Sequence, residues 1–180
     1  MIYEPSDDSY LLASKIKDYS KNKLVLDIGS GSGIQALEAL KDKAKLVVAT
    51  DLDAESLEHL NSLTNAHQNL KIIKSNLFEN ISEKFDLITF NPPYLPLDKR
   101  EDKESQLITT GGKTGDEIVL KFLEQASQHL NQDGKILLLL SSLTPKSKIK
   151  TLLHKLNLKS KIIARQGLFM EQLEVWEISN

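Results

Sequence analysis

Short, nearly unbroken aliphatic runs alternate along the chain with longer stretches whose apolar positions recur every three or four residues. The runs cover residues 24–28, 46–50, 70–74, 85–90 and 135–140. Val/Ile/Leu-rich segments of that length are strands of a sheet covered on both faces. The stretches between them predict helices over 34–40, 54–65, 116–129 and 147–156. In the third, Ile118, Val119, Phe122, Leu123 and Ala126 form one stripe; in the fourth, Ile149, Leu152, Leu153 and Leu156 do so. Strand-like segments follow at 158–164 and 173–178, joined too closely for a crossover helix, so an antiparallel hairpin closes the pattern. Strand and helix in alternation predict an α/β domain with a mostly parallel sheet. One irregular segment, 95–113, is long enough for a functional loop.

Composition narrows the class. Of 180 residues, 40% are hydrophobic and 27% charged, with only 8 Gly and 5 Pro, which excludes a collagenous or largely disordered chain. A single domain over residues 1–180 is expected. The absence of cysteine removes disulfides, thiol nucleophiles and Cys-based zinc sites, and it favours a cytoplasmic location. The longest aliphatic run, Ile136 to Leu140, is too short to span a bilayer, so no membrane association is expected. The opening MIYEPSDDSY is acidic and lacks the apolar core of a secretory signal.

The net charge of -2 argues against a general nucleic-acid coat. Yet between Gly134 and Met170 stand eight basic residues, Lys135, Lys146, Lys148, Lys150, Lys155, Lys159, Lys161 and Arg165, with no acid among them. Two readings stay open for this stretch: a solvated helix face and loop, or a surface docking on RNA or an acidic partner.

Candidate chemistry sits at strand ends. The run Leu24-Val-Leu-Asp27-Ile-Gly29-Ser-Gly31-Ser-Gly33 takes a strand into a glycine-rich turn and then a helix, a cradle for a nucleotide-type ligand. Asp51 ends the second strand, 22 residues after Gly29, where a carboxylate reaches ribose hydroxyls. A dinucleotide enzyme would share both features, but Asp27 would oppose a pyrophosphate. The amino group and sulfonium of S-adenosylmethionine would instead favour it, with Asp27 at the methionine end and Asp51 at the ribose.

Asn91-Pro92-Pro93-Tyr94 follows the strand FDLITF on the same edge. The Asn91 side-chain oxygen and the Pro92 carbonyl can each accept one N–H of a planar NH2 group, whose delocalised lone pair makes it a poor nucleophile. The prolines stiffen those acceptors and Tyr94 can lie against the target plane.

With these residues the chain resembles the class I methyltransferases, and more closely the HemK-like protein glutamine-N5 methyltransferases that modify the Gly-Gly-Gln motif of translation release factors. The resemblance rests on YEPSDDSYLL, DIGSGSG, Asp51, NPPY, GGKTGDEIVLKFL and RQGLFMEQLEVWEI, and the short opening is similar to the archaeal and eukaryotic branch. It implies a Rossmann-like three-layer sandwich whose sheet has seven strands, six parallel and one antiparallel. It also implies S-adenosylmethionine as methyl donor, leaving S-adenosylhomocysteine. By matching motif, Ser9 contacts the cofactor carboxylate, Asp27, Gly29 and Gly31 lie at its methionine portion, and Asp51 holds the ribose. Asn76, where the family commonly has Asp, and Leu77 meet the adenine; Asn91, bordering the cofactor, grips the substrate amide with Pro92, Pro93 and Tyr94.

The resemblance further implies a small zinc-binding activator subunit on the edge of strand three, here Leu70, Ile72 and Ile73. The four histidines share no metal-binding spacing, and no metal is expected in this chain. Met170 and Trp176 read as core or sheet filler, and Glu171 as facing the substrate loop. The alternatives are an N-methyltransferase acting on adenine or guanine in RNA or DNA and a non-catalytic cofactor-binding scaffold.

Overall fold

The computed structural model describes residues 4–93, 112 and 114–180. Seven strands, β1 (Leu24–Ile28), β2 (Leu46–Asp51), β3 (Leu70–Lys74), β4 (Phe85–Phe90), β5 (Leu130–Ser141), β6 (Lys159–Leu168) and β7 (Glu171–Ser179), form one sheet in the order β3-β2-β1-β4-β5-β7-β6. The β5–β7 and β6–β7 pairings are antiparallel and the others parallel, so β7 is the single reversed strand and lies between β5 and β6. This is the expected seven-stranded arrangement. Among the described residues five α-helices flank it: α1 (Asp7–Ile16), α2 (Ile34–Lys41), α3 (Ala54–Leu63), α4 (Glu117–Ala126) and α5 (Ser147–Lys155).

Because successive strand residues point to opposite faces, the strands feed two cores. Leu12 and Ile16 of α1, Ala36 and Ala39 of α2 and Leu60 of α3 pack with Val25, Val47, Leu87, Leu137 and Val175 on one face. On the other, Val119, Phe122 and Leu123 of α4 and Ile149 and Leu153 of α5 pack with Leu26, Ile88, Phe90, Ile136 and Trp176. Phe122 is fully buried, its ring centroid 4.6 Å from that of Phe90 and 5.7 Å from that of Phe78. Burying such a side chain stabilises the fold by about 2–3 kcal/mol.

Several expectations shift. The sequence pattern predicts no element over YEPSDDSYLL, yet Asp7–Ile16 is helical, with two acids in its first turn favourable to the helix dipole. β5 begins at Leu130, five residues before the aliphatic run, because Leu130 pairs with Phe85 across an irregularity that leads into the Leu87–Lys135 pairing. Trp176 is core, as expected; Met170 is not. It is 84% exposed at the β6–β7 turn with φ +61°, beside Phe169 at 94%.

Part of the basic stretch is paired within the chain itself. Glu174 of β7 takes Lys146 at 2.7 Å and Arg165 at 3.5 Å, and Glu177 takes Lys135 at 3.0 Å and Lys161 at 3.3 Å. Lys148 lies 3.5 Å from buried Asp116. Five of the eight cations therefore have an internal acid, which the run of sequence from 134 to 170 does not contain. Burial pushes both β7 carboxyls up, but the hydrogen bonds from Lys146 and Trp176 to Glu174, and from Tyr19 and Lys135 to Glu177, outweigh it and hold both below the usual glutamate range.

Candidate active site

The order β2-β1-β4 marks the point where the chain reverses direction across the sheet, and ligands of open α/β sheets collect there beyond the carboxyl ends of the strands. Asp27, the glycine turn, Asp51 and Asn91 all stand on that edge.

Asp27 is the fourth residue of β1, level with Thr89 of β4. It is 2% exposed, and its Oδ1 accepts the Thr89 hydroxyl at 2.8 Å while its buried Oδ2 has no hydrogen-bond partner. Burial pushes its carboxyl up to about 7, against the hydrogen bonds from Thr89 and Ser30 and with the repulsion of Asp51. A cation brought to Oδ2 would draw that proton off.

The turn after β1 needs its glycines. Gly29, Gly31 and Gly33 have φ of +61°, +50° and +80°. At Gly33, the residue capping α2, a Cβ would also stand 2.9 Å from Leu60 Cδ2 and 3.2 Å from Leu63 Cδ1. The turn is tied to Asp51: the Gly31 N–H donates to Oδ2 at 2.8 Å, and the Leu52 and Asp53 N–H groups donate to Oδ1 at 2.7 and 2.9 Å. Three backbone donors fix this carboxylate, whose remaining lone pairs can accept a diol.

After β3, Asn76 donates from Nδ2 to Glu79 Oε1 at 2.9 Å, which leaves its Oδ1 as the acceptor an amino group would need. Leu77 has φ +52° and a buried side chain in the core. Its carbonyl accepts the Ser75 hydroxyl at 2.9 Å.

Asn91, half-buried just past β4, has Oδ1 buried with no hydrogen-bond partner. Its Nδ2 donates to Asp8 Oδ2 at 3.2 Å. Pro92 is buried and Pro93 half-buried; Tyr94 lies outside the described residues, as does most of the 95–113 segment. Ser9, 2% exposed, gives its N–H to Asp8 Oδ1 at 2.6 Å and its hydroxyl at 3.1 Å, and its carbonyl accepts from Gln35 Nε2 at 3.3 Å. Glu171, expected to face a substrate loop, accepts the Ser141 hydroxyl at 2.6 Å.

Sequence reasoning missed Asp8 and Thr89. Asp8 sits in the quoted opening motif but is one of two adjacent acids, and nothing in the sequence tells which turns inward; Thr89 reads as an ordinary strand residue. Among the described residues no group of His, Cys, Asp and Glu could hold a metal ion, and no helix is long and apolar enough to cross a membrane.

The methyltransferase small domain model matches residues 6–170. The chain belongs to that family. A protein of Methanocaldococcus jannaschii, provisionally named a protein N5-glutamine methyltransferase, is 39% identical over 178 residues, covering 97% of this chain and 89% of that protein. The release factor glutamine methyltransferase of Streptococcus pneumoniae is 34% identical over 151 residues, 77% of this methyltransferase but only 53% of the relative, whose length the chain spans about half. Among solved structures, the E. cuniculi Mtq2–Trm112 complex, responsible for methylating the eRF1 termination factor, has a chain that superposes with a TM-score of 0.74 at 25% identity, covering 99% of this chain and 98% of that one.

The fold is therefore that of the class I methyltransferases, whose methyl donor is S-adenosylmethionine. The residues fit that cofactor. Asp27 Oδ2 is a buried carboxyl oxygen lacking a partner, the glycine turn gives close backbone approach, and the tethered Asp51 offers lone pairs to ribose hydroxyls. A pyrophosphate would meet Asp27 as a like charge.

Proposed function

We propose that this methyltransferase modifies the side-chain amide nitrogen of a protein glutamine, with the Gly-Gly-Gln motif of a translation release factor as acceptor. The observation that carries this reading is the buried, unpartnered Oδ1 of Asn91, held at the carboxyl edge of β4 and followed by Pro92. An amide nitrogen presents two N–H groups, and two acceptors, Asn91 Oδ1 and the Pro92 carbonyl, match them. The relatives named for glutamine methylation support the same acceptor.

Asp27, Gly29 and Gly31 would hold the methionine portion of the cofactor, Asp51 the ribose, and Asn76 and the Leu77 backbone the adenine. Bound S-adenosylmethionine supplies an electrophilic methyl carbon on sulfur. Asn91 and Pro92 orient the acceptor nitrogen and, as its N–H bonds polarise toward them, raise its electron density. With the methyl transferred, the acceptor nitrogen would have to release one proton, which the two acceptors would hold until it passes to solvent. Such a substrate is met in the cytoplasm.

Labelled-methyl transfer to a release factor tests the reading. Label that disappears when the Gly-Gly-Gln glutamine is replaced supports it; label only in nucleic acid overturns it. The internal pairing of five basic residues weighs against RNA as the acceptor.

β3, the sheet edge, is the surface on which we place an activator subunit. It pairs only with β2 among the described strands and carries buried Leu70 and half-buried Ile72 and Ile73 between exposed Lys71 and Lys74. An open edge can take an added strand. Co-expression with a Trm112-type partner should raise solubility or cofactor affinity; no change in either would count against the heterodimer.

A further inference from the structure

We infer that Asp8 is a positioning residue that fixes which end of the Asn91 carboxamide faces the acceptor. The inference rests on the glutamine reading above and goes beyond it, because no motif assigns Asp8 a part in methyl transfer.

Asp8 is 3% exposed in the first turn of α1. Among the described residues its Oδ1 accepts from the Ser6 hydroxyl at 2.9 Å, the Ser9 N–H at 2.6 Å and the Ser9 hydroxyl at 3.1 Å. These fix the carboxyl and aim Oδ2 at Asn91 Nδ2, 3.2 Å away. A carboxamide rotated by 180° would set its oxygen against a carboxylate oxygen, an arrangement with no proton between two acceptors. Asp8 thereby holds the amide with its nitrogen inward, and the oxygen, Oδ1, is left buried without a partner.

Two consequences follow for the reaction. The unpaired end of Asn91 is an acceptor and never a donor, so it selects a group that brings N–H bonds and rejects one that brings only lone pairs. An anion hydrogen-bonded to the amide N–H also draws electron density toward Oδ1, as in any charge-assisted chain, which makes that oxygen a stronger acceptor for the substrate proton. α1 is thus more than packing: it carries the group that sets the chemistry of a strand end 83 residues away.

Asp8→Asn tests this, because the new side chain keeps the volume but can offer an N–H to Asn91 Oδ1 or accept from Nδ2, and the fixed sense is lost. With the release factor as acceptor, kcat should fall by about 10²-fold, while the dissociation constant of S-adenosylmethionine, read by calorimetry, stays within about threefold. Asp8→Glu, which keeps the charge, should recover part of the loss. Retention of kcat within about threefold in Asp8→Asn would overturn the inference. So would loss of cofactor affinity in parallel with kcat in both variants, which marks a merely structural role. Failure of the wild-type enzyme to label the release factor would strike the glutamine reading instead.

Discussion

Asp27 and Thr89 stand opposite each other on adjacent parallel strands, and the threonine hydroxyl satisfies one oxygen of a carboxyl that is otherwise sealed from water. The second oxygen is the one an incoming cation would meet.

That arrangement makes cofactor binding sensitive to pH. Burial raises the carboxyl from an ordinary 3.8 to about 7, so at pH 6 most of the free enzyme carries a neutral Asp27. A neutral acid cannot pair with the cofactor's ammonium. S-adenosylmethionine should bind about tenfold more weakly at pH 6 than at pH 8, and calorimetry across that range checks it. The same shift has the opposite sign for folding: the folded state holds this proton more tightly than the unfolded chain, so the stabilisation is present below about pH 4 and is lost as pH rises through about 7. Asp27→Asn should melt at a higher temperature than wild type at pH 8, with the gap closing near pH 4, and should bind the cofactor poorly at every pH.

Asn91→Ala should separate binding from turnover. The substitution removes an acceptor at the reacting nitrogen but leaves the glycine turn, Asp27 and Asp51 in place. Turnover should drop about 10²–10³-fold with cofactor affinity within about threefold, measured by steady-state transfer and calorimetry. Unchanged turnover would remove the proposed mechanism and favour a scaffold.

Gly33→Ala meets two obstacles at once: a φ of +80° and a Cβ 2.9 Å from Leu60 Cδ2. Both are paid in the folded state, and the loss should be about 2 kcal/mol, seen as a lower midpoint in urea.

Glu174 is the anchor of the far half of the sheet. It accepts from Lys146, Arg165 and the Trp176 indole N–H at 2.9 Å. Glu174→Ala leaves the buried indole and a nearby ammonium without their acceptor and should cost about 2–3 kcal/mol. Lys150→Ala, at an exposed position with no ion pair among the described residues, should stay within about 0.5 kcal/mol. Chemical denaturation of the two variants side by side reads the contrast.

The strands of the parallel half were legible because burial on both faces demands runs such as LVLDI and FDLITF, and the glycine turn and NPP were legible because backbone geometry restricts the residues that serve there. Asp8 was not. Its meaning depends on Asn91, which the fold brings to it from 83 residues away, and a pair of acids beginning a helix looks the same whichever one turns inward. The pairing of the basic stretch was hidden for a related reason: two of its counter-charges, Glu174 and Glu177, lie on the following strand, outside the run of sequence that holds the lysines. Met170 was read as filler from its apolarity alone, whereas its place at a two-residue turn puts it in water.

The reversed strand has a consequence for assembly on the ribosome. β7 is made last of the seven yet occupies an interior place, and β6 joins the sheet only through it. Until Glu171–Ser179 has emerged, the growing polypeptide can complete β3-β2-β1-β4-β5 and no more, with one flank of β5 unzipped and β6 waiting without a neighbour. Whatever loosens β7 from β5 therefore releases β6 with it.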